Sequence, residues 1–168
     1  MAFAVRLYDM LVVALAVIAG AILPAFMLII VYQVVWRNFG LQPSAHLFTF
    51  TEYGLLFITF LGAPWLVRER GHVYIEIVTA ALPDGARAAV SRFVSGLCVV
   101  ICVVLALKGA DIAQRNFFSA EMDVRSLYFP RWILITVIPV GFGLMAIEFA
   151  RFTFGKQLLH SGEAGIHE

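Results

Sequence analysis

The chain has 168 residues, of which 62% are hydrophobic and only 14% are charged, and its mean hydropathy is +0.92. Soluble globular domains carry about 25% charged residues, so this composition excludes an ordinary soluble domain and predicts a membrane protein. The formal net charge of +1 also argues against a protein that binds nucleic acid.

The first predicted membrane span covers about residues 10–36. No charged residue occurs between Asp9 and Arg37, whereas a helix needs only about 20 apolar residues to cross the hydrocarbon core. This apolar stretch is longer than that of a secretory signal peptide, which has about 7–15 residues. We therefore expect an uncleaved membrane helix here.

Three further apolar blocks predict spans over about residues 48–67, 90–108 and 131–152. Their uncharged cores are short, but Lys and Arg side chains at helix ends can extend to the lipid headgroups. The predicted fold is an all-α membrane protein with four transmembrane helices in one domain, residues 1–156. Residues 157–168 have no hydrophobic periodicity and are predicted to form a disordered cytoplasmic tail.

The flanks of the spans predict the topology. Seven Lys and Arg residues fall on the side that would hold both termini, against five on the other, which favours cytoplasmic termini. The connections near residues 73–82 and 112–128 mix apolar and charged residues, a pattern typical of amphipathic segments that lie along the membrane surface. Asp111 and Arg115, four residues apart, are expected to pair on one helix face.

Glu52 and Glu148 are the only acidic residues inside the predicted spans. A charge at the bilayer centre costs about 2.5–3.5 kcal/mol, so such residues are the first candidates for function. Glu148 precedes Arg151 by three residues, and an ion pair between them is expected. For Glu52 we favour contact with another helix or a partner subunit over proton coupling, because no second acid lies at the same depth.

Small residues recur at four-residue intervals in three predicted spans, a spacing that lets membrane helices approach one another closely. The three sets are Ala16, Gly20 and Pro24; Ser91 and Ser95; and Ala146 and Ala150. The spacing indicates helix contacts, and it leaves open whether each neighbour belongs to this chain or to another.

Short stretches along the chain match the pattern of one known family. The first group consists of Glu52, Phe60-Leu61-Gly62-Ala63, Arg68, His72-Val73 and Leu82-Pro83. The second leads into the fourth span, with Ser126-Leu127-Tyr128-Phe129-Pro130-Arg131-Trp132 followed by Ile138-Pro139-Val140-Gly141. Because these stretches follow one another in this order, the chain resembles the small membrane subunit of tripartite ATP-independent periplasmic (TRAP) transporters, the DctQ-type family. It departs from the pattern at Glu76, where Asp is more usual, and at Pro64.

The resemblance implies a transporter subunit and not an enzyme. In this family the small subunit binds a large multi-helix subunit that carries substrate and Na⁺, and a periplasmic binding protein delivers the substrate, commonly an organic acid. The chain would be a scaffold in a bacterial or archaeal inner membrane, with no cofactor of its own. The residues implied in packing or partner contact are Glu52, Gly62, Arg68, His72, Glu76, Pro130, Trp132, Pro139 and Gly141.

The connection near residues 112–128, which the predicted topology places on the outer side of the membrane, is a further candidate contact. Its charged residues, expected to meet the binding protein, are Arg115, Glu121, Asp123 and Arg125. Two alternatives remain open from the residues alone. One is a small homo-oligomeric transporter that couples to protons through Glu52 or Glu148, and the other is the membrane anchor of a redox enzyme.

Overall fold

The structure is a computed structural model that describes residues 2–41, 45–69, 83–120, 122–124 and 128–154. Several sequence predictions fall outside these ranges. They are the surface segment at residues 73–82, the tail at residues 157–168, and the candidate residues His72, Glu76, Glu121 and Arg125.

Four long helices make up nearly all of the described chain: α1 (Ala2–Asn38), α2 (Ala45–Arg68), α3 (Asp84–Phe118) and α4 (Arg131–Phe154). Each contains a stretch apolar and long enough to cross a membrane, at Val5–Asn38, Thr49–Arg68, Ala88–Phe118 and Arg131–Phe154. The predicted all-α fold with four transmembrane helices is confirmed. The chain is therefore a multi-pass membrane protein.

Helix α3 continues without a break beyond the third predicted span, as far as Phe118. The prediction of a separate surface segment from residue 112 is therefore wrong for residues 112–118. The predicted pair within this stretch is confirmed, because Arg115 Nη2 lies 3.0 Å from Asp111 Oδ2. The Asp111–Arg115 pair neutralises two charges along the helix, and Ala113 is buried on another side. Both features stabilise the helical conformation beyond Lys108.

A short antiparallel hairpin connects α3 to α4. Its strands are β1 (Met122–Val124) and β2 (Tyr128–Pro130), paired so that Met122 lies opposite Pro130. Ala120 has a φ of 49°, in the left-handed region that non-glycine residues seldom occupy, and it turns the chain out of α3. Helix α4 follows β2 directly at Arg131.

The helices pack in the order α1, α2, α4, α3, with contacts between each neighbouring pair. A buried cluster around Val67, Cys102, Ala146, Phe149 and Phe152 holds α2, α3 and α4 together. Only 11% of the apolar stretch of α1 is buried, against 28% for that of α4. Helix α1 therefore lies on a flank of the bundle and leaves most of its surface open to lipid or a partner.

Candidate helix contacts and an intramembrane ion cluster

Ion pairs join three helices at the end of the bundle where α1 begins and where α2 and α4 end. Asp9 of α1 lies between two arginines, with its Oδ1 atom 3.0 Å from Arg68 Nη2 and 2.9 Å from Arg151 Nη1. Arg68 Nη1 also donates to the backbone oxygen of Asp9 at 3.5 Å. Because the arginines lie in the last turns of α2 and α4, one carboxylate fixes three helix ends.

Glu148 is the most deeply buried member of this ion cluster, which we define as Asp9, Arg68, Glu148 and Arg151. Only 1% of Glu148 is exposed, and Arg151 Nη1 lies 3.5 Å from Glu148 Oε1. The ion pair predicted between these two residues is confirmed. A buried carboxylate needs such a partner, because removing an unpaired charge from water costs several kcal/mol.

Tyr8 adds a second link between α1 and α4 beside the ion cluster. Its hydroxyl donates to the backbone oxygen of Leu144 at 3.3 Å, and the Arg151 guanidinium lies 5.9 Å from the centre of its ring, within the range of a cation–π contact. Sequence reasoning missed both Tyr8 and Asp9, because they precede the predicted first span. The available signal was that Asp9 is the only acid among the first 51 residues.

Two glycines let α2 come close to its neighbours. A Cβ atom at Gly141 of α4 would lie 2.8 Å from both the Cβ and the backbone oxygen of Phe60. At Gly54 the ring of Phe26 fills the space that a Cβ would take, and 6% of Phe26 is exposed. Gly141 was a candidate from the sequence, whereas Gly54 was not, because only the fold brings an aromatic ring of α1 over it.

Other candidate residues also lie in contacts between the helices. Pro139 packs on Gly109 of α3, where a Cβ would lie 3.1 Å from Pro139 Cδ. The ring of Trp132 meets Phe117 edge on, with the ring centres 5.3 Å apart. A Cβ at Gly62 would lie 3.7 Å from Ala19 Cβ, an ordinary contact between α2 and α1.

Comparison with models of protein families identifies the family of this chain. A family model described as "Tripartite ATP-independent periplasmic transporters, DctQ component" matches residues 26–157, more than three quarters of the chain. The chain belongs to the DctQ family. No curated individual protein matches it.

Membership of the DctQ family confirms the resemblance found in the sequence. The chain is the small membrane subunit of a TRAP transporter, because the DctQ family is a component of these transporters. DctQ components work with DctM and DctP partners in these transporters. The matched range includes α2, α3 and α4 in full, whereas α1 enters it only from Phe26.

In this DctQ chain, Glu52 lies far from the ion cluster. Its side chain is on the exposed side of α2, in the second turn, and Arg68 lies at the opposite end of the same helix. Their separation of 16 positions corresponds to about 24 Å along the helix axis. The two intramembrane acids, Glu52 and Glu148, are therefore not brought together by the fold.

The three small-residue sets of the DctQ chain have different surroundings. Ser91 and Ser95 are 2% and 0% exposed, and Ser95 donates its hydroxyl hydrogen to the backbone oxygen of Ser91 at 2.8 Å. Ala146 is also buried. On α1, by contrast, Gly20 has no heavy atom within 4 Å of a Cβ position. Ser91, Ser95 and Ala146 therefore lie in contacts inside the chain, whereas Gly20 faces outward.

Two candidate contacts for a binding protein, Arg115 and Asp123, are within the described residues and lie at the end of the DctQ bundle opposite the ion cluster. Arg115 is highly exposed near the end of α3 and is paired with Asp111. Asp123 lies in β1, in register with Phe129 of β2. Across the described ranges, no group of three or more His, Cys, Asp or Glu residues is arranged to hold a metal ion.

Proposed function

We propose that this DctQ chain is a scaffold for the large subunit of a Na⁺-coupled TRAP transporter that imports organic acids. The observation that supports a scaffold best is the ion cluster. Its charges are satisfied by one another, and they tie the ends of α1, α2 and α4 together. Charged groups used in this way stabilise a fixed arrangement of helices and are not free to carry a cargo.

A rigid flank is useful to a transporter whose mobile part must move against something stationary. The close approach of Phe60 to Gly141 and the insertion of Phe26 at Gly54 support this rigidity, since well-packed helix contacts in lipid derive their stability from van der Waals packing. We place the substrate and Na⁺ in the large subunit, and no cofactor in this one.

The proposed location is the inner membrane of a bacterium or an archaeon, with both termini in the cytoplasm. The ion cluster then lies at the cytoplasmic end, and Arg115 with the hairpin at the periplasmic end, where a substrate-binding protein can reach them. The excess of Lys and Arg in the flanks on the side of the termini supports this orientation.

Reconstitution tests the scaffold proposal. The large subunit, the binding protein and this chain are placed together in proteoliposomes with an inward Na⁺ gradient, and uptake of a radiolabelled organic acid is measured. We expect uptake that stops when this chain is omitted or when K⁺ replaces Na⁺, and no uptake by this chain alone. Transport by this chain alone would contradict the proposal and support an autonomous transporter.

Glu52→Gln distinguishes a structural Glu52 from one that couples transport to protons. Because we assign Glu52 to helix or subunit contact, we expect a modest change, about twofold, in recovery of the complex or in uptake, as for loss of one polar contact. The control Glu69→Gln removes an exposed acid just beyond the other end of α2. If Glu52→Gln abolished ion coupling in an intact complex, our assignment of Glu52 would be wrong.

Arg115→Glu tests the proposed contact with the binding protein. Reversal of a charge at the rim of an interface mainly slows association, so we expect uptake to fall about threefold while the membrane complex remains assembled. The double variant Asp111→Arg/Arg115→Asp keeps an ion pair on α3 but still lacks the positive charge at position 115. Normal uptake by Arg115→Glu would count against this contact, and recovery in the double variant would assign the loss to helix stability.

A further inference from the structure

An apolar groove of about 350 Å³ runs between α3 and α4. Val99, Val103 and Ala106 of α3 form one wall, and Gly143, Ala146 and Ala150 of α4 form the other. Every residue that lines the groove is Val, Ala, Leu, Ile or Gly, and the groove opens outward along its length. Its lining suits hydrocarbon and offers no hydrogen bond from a side chain.

The groove exists because α4 presents small residues where α3 presents branched ones. A Cβ atom at Gly143 would meet no heavy atom within 4 Å, so this part of the groove has room for a larger side chain. Farther along the same pair of helices, the contact between Gly109 and Pro139 is close. This close contact sets the separation of the two helices, and the groove is space that neither helix fills.

A positive charge lies on the same side of α3, towards the end where this helix begins. Arg92, Val99 and Ala106 are spaced seven residues apart, so they lie along one face of the helix, and Arg92 is exposed. The distance along α3 from Arg92 to Val103 is about 16 Å, close to half of the ~30 Å hydrocarbon core. When Val103 lies near the bilayer centre, Arg92 is therefore at the depth of the headgroups.

We propose that this groove binds one phospholipid, with an acyl chain between α3 and α4 and its phosphate at Arg92. The guanidinium group donates two parallel hydrogen bonds to phosphate oxygens, which makes arginine well suited to this headgroup. Basic positions between membrane helices are known to hold lipid headgroups in this manner.

Native mass spectrometry of the full chain, purified in mild detergent with added phosphatidylglycerol, tests the site. We expect the wild-type chain to retain one lipid molecule. Gly143→Leu extends a larger side chain into the groove from a position where a Cβ meets no heavy atom within 4 Å. Arg92→Gln removes the charge, and each variant should lower lipid occupancy about tenfold. Diacylglycerol, which has the same acyl chains and no phosphate, should be retained no better by the wild-type chain than by Arg92→Gln.

Gly20→Leu is the matched control, because Gly20 also has open space at its Cβ position but lies on α1, away from the groove. This variant should retain phosphatidylglycerol as the wild type does. The proposal is overturned if Gly143→Leu keeps its lipid, or if Gly20→Leu loses lipid equally. If Gly143→Leu keeps its lipid and also fails to retain the large subunit in an affinity pulldown from mild detergent, the groove is instead a docking site for a partner helix.

Discussion

Gly141→Ala is expected to destabilise the bundle by about 2 kcal/mol, within the range of about 1–3 kcal/mol found when a packed site is overfilled. The added methyl group would lie 2.8 Å from the backbone oxygen of Phe60. Rotation of the Phe60 side chain cannot relieve a contact with its backbone, so α2 itself has to move away from α4. The movement would also disturb the edge-to-face contact of Phe60 with Phe142, whose ring centres are 5.3 Å apart.

Thermal unfolding of the purified chain in detergent measures this effect, with an expected fall in Tm of about 6 °C. Gly143→Ala is the control, since it makes the same change on the same helix at a position with open space. It should be at least as stable as the wild type, by up to about 1 kcal/mol, because helix interiors favour Ala over Gly. Equal stability of the two variants would show that α2 and α4 do not approach as closely as described.

Asp9→Asn is expected to loosen the attachment of α1 to α2 and α4. The variant keeps the size of the side chain but removes the charge that binds Arg68 and Arg151. Asp9 is partly exposed, so we expect a loss of about 2 kcal/mol, between the small value of a surface ion pair and the larger value of a buried one. Glu148 is still paired with Arg151 in this variant, which limits the damage.

Unfolding in detergent, together with limited proteolysis near the start of α1, measures the effect of Asp9→Asn. Asp111→Asn provides the comparison, because it removes the acid of an exposed pair within one helix and should cost no more than about 0.5 kcal/mol. If both variants were equally stable, the ion cluster would contribute no more than a surface pair. The proposed rigidity of the scaffold would then rest on packing alone.

Local sequence spacing was enough to predict the two ion pairs that lie within single helices. Glu148 and Arg151 are three residues apart, and Asp111 and Arg115 are four apart, so helix geometry alone places each pair on one face. Asp9 could not be assigned in this way. Its partners are 59 and 142 residues farther along the chain, and helix periodicity carries no information about which helix lies beside α1.

The same distinction holds for the packing residues. The sequence marked Gly62 and Gly141 through a family resemblance, but it did not say that Gly141 faces Phe60 or that Gly54 accommodates the ring of Phe26. Those contacts depend on the rotation of each helix about its axis. The hydrophobic pattern does not fix this rotation in a membrane helix, because the lipid-facing and protein-facing sides are both apolar.

By itself the sequence determined that there are four spans and an all-α fold, because the cost of placing charge in hydrocarbon dictates where a chain crosses the membrane. Its motifs indicated the transporter family by resemblance. Only the tertiary structure decided that α1 is the exposed flank, that α3 extends to Phe118, and that one carboxylate joins three helices. These features depend on which helices are neighbours, and that order is set by side-chain packing and long-range ion pairs between residues distant in the chain.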